Sequence, residues 1–185
     1  MTTTITYNEI YQQYFQRIVN YLSRTVGSDD AKDLAQEVFL KVFNSIDKFE
    51  NKSSTYTWVY KIATNLLVDK MRKKQIIVDR CNLIDKELFS KSKVEYLKNE
   101  FRIVQDEMHQ CICSYIKILP LSYRTIIILR EYESMSIDQI AEIMNLKIDN
   151  TKKLLLRARK KLKTVLNEGC LFYYNELNQF SCEKK

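Results

Sequence analysis

The sequence predicts an all-α protein: two small helical bundles joined by a linker, the C-terminal one containing a helix-turn-helix. Three observations carry that expectation. Only two glycines and one proline punctuate 185 residues, so strand turns and helix breaks have few places to occur. Apolar residues recur at helical spacing over long stretches, several of them opened by a capping signal. From about Gln75 to Val104 the periodicity fades into mixed apolar and charged residues, which reads as a linker. The expected division is 1–74 for the first bundle, 75–104 for the linker, 105–168 for the second bundle and 169–185 for a tail.

Thr6 and Glu9 have the spacing of a capping box, and Tyr7, Ile10, Tyr11, Tyr14, Phe15, Ile18, Val19 and Leu22 then give the first helix one apolar face. Gly27 ends it, with Ser28, Asp29 and Asp30 opening the next. The stripe of that second helix is Leu34, Ala35, Val38, Phe39, Val42, Phe43 and Ile46, and its opposite face shows Asp33, Gln36, Glu37 and Lys41. After a polar loop to Ser54, a third helix is expected from Thr55 to Lys74. It buries Trp58, Val59, Ile62, Ala63, Leu66 and Leu67, turns Thr57, Lys61, Thr64, Asn65 and Lys70 outward, and closes on Arg72, Lys73 and Lys74. Helical pattern returns over Gln105 to Leu119, breaks at Pro120 and restarts with Ser122 as cap.

Ser136 and Gln139 make another capping box ahead of Ile137, Ile140 and Met144. Ala141 is small where a partner helix must cross. Asn145 stands where the chain turns sharply and tolerates the left-handed conformation, while Leu146 and Ile148 are expected to plug the turn. The next helix carries Lys152, Lys153, Arg157, Arg159, Lys160, Lys161 and Lys163, cations suited to the major groove of DNA and its flanking phosphates. The net charge of +7 agrees with a polyanionic partner. Gly169 is the expected helix stop before an aromatic tail.

Other classes have little support. An apolar content of 45% supplies a core and argues against a disordered chain. The five cysteines, Cys81, Cys111, Cys113, Cys170 and Cys182, are an odd number without C-x-x-C spacing. Cys111 and Cys113 point to different helix faces, so structural thiols, and no metal or cofactor, are expected. His109 is the only histidine, and neither a glycine-rich phosphate loop nor a carboxylate cluster appears, so no catalytic residues and no enzyme activity are expected. No secretion signal opens the chain and no apolar run nears the ~20 residues a membrane helix needs, which points to the cytoplasm without membrane insertion.

The order of these parts is similar to that of bacterial RNA polymerase sigma factors, specifically the extracytoplasmic-function group of the sigma-70 family. The residues that carry the resemblance are Asp33, Gln36, Glu37, Phe39 and Lys41 in the second helix, Thr57, Trp58, Ile62, Ala63, Asn65, Asp69 and Arg72 in the third, and the C-terminal helix-turn-helix. It implies that Asp33, Gln36, Glu37 and Lys41 dock on core polymerase, whose clamp helices and flap are the expected partners. It assigns Asn51, Lys52, Ser53, Lys61, Asn65, Lys70, Arg72 and Lys73 to capture of an extruded base and its strand at the −10 element of promoter DNA. Asn150, Lys152, Lys153, Arg157, Arg159 and Lys160 would read and grip the −35 duplex, with Lys152 and Lys153 at base edges. Asp149 is read as a helix cap, and Trp58 as core in preference to a melting wedge. An anti-sigma protein is a further expected partner, with Ile76, Ile77, Val78, Leu83, Ile84, Leu88 and Phe89 as the apolar side chains it would meet.

One departure stands out. Where many relatives have Gly-Thr-Val-Lys-Ser-Arg, this chain has Asp149, Asn150, Thr151, Lys152, Lys153 and Leu154. Leu154 either packs inward or meets a thymine methyl, with packing the preferred reading. The rival function is a free-standing helix-turn-helix regulator binding duplex DNA, which would have no use for the second-helix face or the loop and basic helix after it.

Overall fold

The reciprocal cap at Thr6 forms as its sequence demands. Thr6 Oγ1 accepts from the Glu9 amide at 3.4 Å, and the Glu9 carboxylate accepts from the Thr6 amide at 2.7 Å, so amides that helix geometry leaves unpaired are satisfied. The computed structural model describes residues 6–49, 53–81, 111–174 and 180–185. Helix α1 (Tyr7–Val26) passes into α2 (Ser28–Ser45) through Gly27 alone, whose φ of 102° side chains rarely adopt. A 3₁₀ turn, Ile46–Lys48, precedes α3 (Thr55–Cys81). Lys74 does not end α3. The helix continues to Cys81 because no glycine or proline follows to stop it.

Helical residues 111–117 form α4. The next helix, α5 (Leu121–Ile127), is capped by Pro120, leaving Ser122 inside the first turn instead of at the cap. Proline has no N–H to leave unpaired at a helix entrance, and its carbonyl accepts from the amides of Tyr123 and Arg124. A π-turn, Ile128–Tyr132, extends α5 to Glu133. Helix α6 (Ile137–Met144) opens on the Ser136/Gln139 box and ends at Asn145 in the left-handed conformation, φ 54° and ψ 46°, as the sequence predicts. Helix α7 (Ile148–Gly169) starts earlier than its charges suggest. Lys147 is the N-cap, so Asp149 and Asn150 lie in the first turn, where Asp149 favours the helix dipole without capping. Ile148 is 45% exposed and does not plug the turn, a task left to half-buried Leu146. Gly169 does stop the helix.

The tail adds a small sheet to the helices. Strands β1 (Cys170–Tyr174) and β2 (Phe180–Lys184) pair antiparallel with Phe172 opposite Cys182, consistent with the strand preference of Cys-Leu-Phe-Tyr-Tyr.

Helix α3 is covered on two sides, by α1 and α2 on one and by α6 on the other, and one apolar core runs through all of them. This overturns part of the expected pattern. Thr57 and Thr64 are buried, not outward, and Tyr60 is fully buried while Trp58, Ile62 and Leu66 are only partly so. Thr64 tolerates burial because its hydroxyl pairs with that of Tyr21 at 2.9 Å. Phe43 leaves the expected stripe, standing 57% exposed with its ring edge-on to Tyr7 at 5.2 Å.

At the junction sits a buried carboxylate. Tyr60 donates to Glu133 Oε2 at 2.5 Å and Tyr56 donates to the Glu133 carbonyl at 3.0 Å. Arg17 and Arg24 approach the same carboxylate at 3.7 and 3.8 Å. Burial, together with the Glu133 charge, pushes the Tyr60 and Tyr56 phenols up from their ordinary range, so both remain donors at neutral pH. A second polar tie comes from Arg124, which donates to the carbonyls of Thr25, Lys117 and Leu119 at the ends of α1 and α4. Replacing Glu133 with Ala removes the acceptor of the Tyr60 phenol and the carboxylate that faces Arg17 and Arg24, while Tyr56 keeps its main-chain carbonyl, so Glu133→Ala should lower the unfolding free energy of the full chain by about 2 kcal/mol. Urea titration followed by circular dichroism measures it; a value indistinguishable from the parent chain would mean that Glu133 holds nothing together.

Candidate nucleic-acid and polymerase interfaces

Helical spacing places Asp33, Gln36, Glu37 and Lys41 on one exposed face of α2. Leu40, 63% exposed, stands among them. Sequence reasoning passed over Leu40, although an apolar residue breaking into a polar face was a signal for it. A contact surface of this kind, charged groups around an exposed aliphatic anchor, suits a protein partner better than a nucleic acid.

The α3 residues are spread along the helix and differently engaged. Asn51 and Lys52 lie outside the described residues, and Ser53 is half-buried. Lys61 reaches Glu142 of α6 at 4.0 Å, while Thr57 accepts a long hydrogen bond, 3.5 Å, from Gln139. Asn65 is exposed and lines, with Lys41, a cleft of about 650 Å³ whose far wall is Leu121, Ser122, Ile143 and Met144. Lys70 pairs with Asp30 at 3.8 Å, Arg72 with Asp69 at 3.2 Å, and Lys73 is exposed. Trp58, half-buried, stacks on Phe49 with ring centroids 4.6 Å apart. The face of α3 that carries Thr57 and Lys61 is therefore occupied by α6. Gln139, Glu142 and Glu133, which hold it there, were not singled out as site residues from the sequence, because nothing local marks a contact between segments so far apart. The Lys61–Glu142 pair is well exposed and worth no more than about 1 kcal/mol, so it is readily exchanged for another anion.

Along α7, Asn150, Lys152, Lys153, Arg157, Arg159 and Lys160 are all exposed, whereas Thr151, Leu155 and Ala158 face the core. Cations and core residues thus segregate to opposite sides. Arg159 differs from the others: its Nε and Nη2 both donate to Glu131 Oε1, at 3.0 and 2.6 Å, which fastens α7 to the π-turn. Leu154 is half-buried and packs against the core. Leu156, 70% exposed among the cations, is an apolar element of this face that the charge pattern concealed. The apolar residues between Ile76 and Phe89 lie outside the residues whose side chains are described. No helix among the described residues is long and apolar enough to cross a membrane.

Comparison with known proteins adds to this geometry. Residues 10–76 match the sigma-70 region 2 family and residues 109–162 match the sigma-70 region 4 family. The chain is 30% identical over 165 residues to the ECF RNA polymerase sigma factor SigW of Bacillus subtilis, covering 86% of this chain and 88% of the relative. It is 31% identical over 161 residues to the ECF RNA polymerase sigma-E factor of Escherichia coli, covering 83% of each. Its fold is similar to the sigma factor RpoE solved with the anti-sigma factor NepR from Bartonella quintana, with a TM-score of 0.67 at 22% identity over 87% of this chain and 96% of that one. CnrH, solved with the cytosolic domain of CnrY, is similar with a TM-score of 0.62 at 17% identity over 88% of each chain.

The inward position of Leu154 has a direct test. Leu154→Ala should cost about 1.5 kcal/mol in thermal or urea unfolding, as expected for a half-buried leucine. Unchanged stability would free this side chain for contact with a thymine methyl.

Proposed function

The chain belongs to the extracytoplasmic-function group of the sigma-70 family and is an alternative sigma factor that directs transcription initiation, and we propose how its surfaces divide that task. The exposed α2 face, Asp33, Gln36, Glu37 and Lys41 around Leu40, docks on the clamp helices of core RNA polymerase, and the α4–α7 segment meets the flap. The segment from Asn51 to Ser53, with Lys61, Asn65, Lys70, Arg72 and Lys73, takes the separated strand and an extruded base of the −10 element. Helix α7 enters the major groove at the −35 element, where Lys152, Lys153 and Asn150 read base edges and Arg157 and Lys160 grip phosphates. Arg159 joins that grip only by exchanging Glu131 for a phosphate.

The observation that supports this reading most is the segregation of cations on the outer side of α7 within the segment that matches region 4. Recognition, not bond-making, is the mechanism. Each contact alone is weak, and tethering the two readers in one chain raises the local concentration of the second once the first is bound. The occupied face of α3 adds a condition: α6 withdraws from Thr57 and Lys61 before the −10 strand is received. Because the fold is similar to a sigma factor solved with an anti-sigma factor and to CnrH solved with the cytosolic domain of CnrY, we also assign this protein an anti-sigma partner and a place in the cytoplasm beside the polymerase. A free-standing regulator would leave the α2 face without a task.

Run-off transcription with purified core polymerase on genomic fragments tests the division. Lys152→Ala and Lys153→Ala should change which upstream elements are used, each by about 1–3 kcal/mol of discrimination. Arg157→Ala and Lys160→Ala should weaken every promoter alike and reduce the salt dependence by about one counterion each. Equal effects of all four on every promoter would abolish the distinction between reading and gripping. Asp33→Lys with Glu37→Lys should cut core-polymerase binding at least about 10-fold without altering the unfolding midpoint; retained binding would remove the α2 face from the interface.

A further inference from the structure

Three cysteines separated in sequence meet where α4, the end of α7 and the hairpin converge. Cys111 lies at the start of the described part of α4, Cys170 is the first residue of β1, and Cys182 is on β2. Their sulfur atoms all lie within 4.8 Å of one another, and Cys111 Sγ is 3.8 Å from Cys170 Sγ. Hairpin register accounts for half of this: Cys170 opposes Lys184, so Cys182, two residues before Lys184, is its diagonal neighbour on the same face. Close packing of α4 on the end of α7 supplies the rest. A Cβ on Gly169 would stand 2.0 Å from the Tyr115 hydroxyl, so glycine leaves room for that ring of α4 to lie against the end of α7. The Lys185 amide donates to the Gly169 carbonyl at 3.0 Å, closing the hairpin back onto the helix.

The spacing has chemical meaning. Two thiolates bound to one tetrahedral zinc at about 2.3 Å stand about 3.8 Å apart, and three around a trigonal ion stand about 4.0 Å apart. A disulfide would require about 2.05 Å and would consume only two of the three sulfurs. Cys170 is buried and the other two are half-buried, which shields a site while leaving an approach to it. Among the described residues the cluster holds three soft sulfur donors and no carboxylate, a set that selects thiophilic cations over Mg²⁺ or Ca²⁺.

We infer that Cys111, Cys170 and Cys182 bind one thiophilic d¹⁰ cation, Zn²⁺ or Cu(I), and thereby pin the hairpin to α4. On binding, the three thiols lose their protons to solvent and the thiolates coordinate the ion without any change of oxidation state. The site is independent of the promoter-reading surfaces, and its effect is to fix the end of α7 against α4. Spacing rules could not find it, because Cys111 is paired by folding with the tail and not with Cys113.

The full chain, reduced with a phosphine and freed of metal under anaerobic conditions, is the material for the test. Loaded with Co²⁺ alone it should take up one equivalent and show sulfur-to-cobalt charge transfer of three-thiolate intensity. Competition with Zn²⁺ and with a Cu(I) chelator then identifies the preferred ion, and stoichiometric binding of either supports the site. Cys111→Ser, Cys170→Ser and Cys182→Ser should each weaken binding on the order of 100-fold, while Cys113→Ser should leave it unchanged. Absence of uptake by the parent chain, charge transfer of a single thiolate, or loss of binding in Cys113→Ser alone would overturn the inference. The parent-chain spectrum decides even where a serine variant fails to fold.

Discussion

A carboxylate buried among helices is tolerated only if donors surround it, and Glu133 obtains them from two directions. Arg17 and Arg24 come from α1, Tyr56 and Tyr60 from α3, while Glu133 itself follows the π-turn that ends α5. Removing that acid from water would be strongly unfavourable without those partners. The arrangement therefore ties the placement of three helices to one another. Helix α3 is two-sided because of it: one flank packs on α1 and α2, and the other is drawn against α6. Arg124 provides the complementary tie, a cation among the carbonyl ends of α1 and α4, so junction polarity is answered by opposite charge at both points.

The same constraint explains how the surfaces are distributed. The α2 face is free of the junction and stays exposed, and the outer side of α7 points away from the core. In the proposed division of surfaces, only α3 serves both packing and recognition. Its polar contacts are graded accordingly: the buried Tyr60–Glu133 bond, to the turn ahead of α6, is short, whereas the contacts to α6 itself, Lys61 with Glu142 and Thr57 with Gln139, are exposed or long. A surface held in this way is guarded at its edge by interactions that another anion can replace.

What could be read from the sequence was local. The caps at Thr6 and Ser136, the turn at Asn145 and the stop at Gly169 depend on residues within one turn of helix, and each is found where the pattern placed it. Membership of the sigma-70 family was legible too, since it rests on ordered strings of residues. The failures share a cause. Thr57 and Thr64 looked outward because an amphipathic pattern assumes one buried face, and α3 has two. The continuation of α3 past Lys74, the pairing of the aromatic tail into a hairpin and the meeting of Cys111 with Cys170 and Cys182 all depend on contacts or stop signals that no short window contains. Leu154 shows the converse: its helical spacing from Thr151 pointed inward, and it does pack against the core.

The stacking of Trp58 on Phe49 has an optical consequence. The chain has a single tryptophan, and it sits at the start of α3, beside the loop assigned to strand capture, with its ring partly open to solvent. Its emission therefore reports on one place only. Separation of the two rings, or replacement of Phe49 by a nucleobase, would alter quantum yield and wavelength without any label, so the protein carries a native fluorophore beside the segment proposed to take the separated strand.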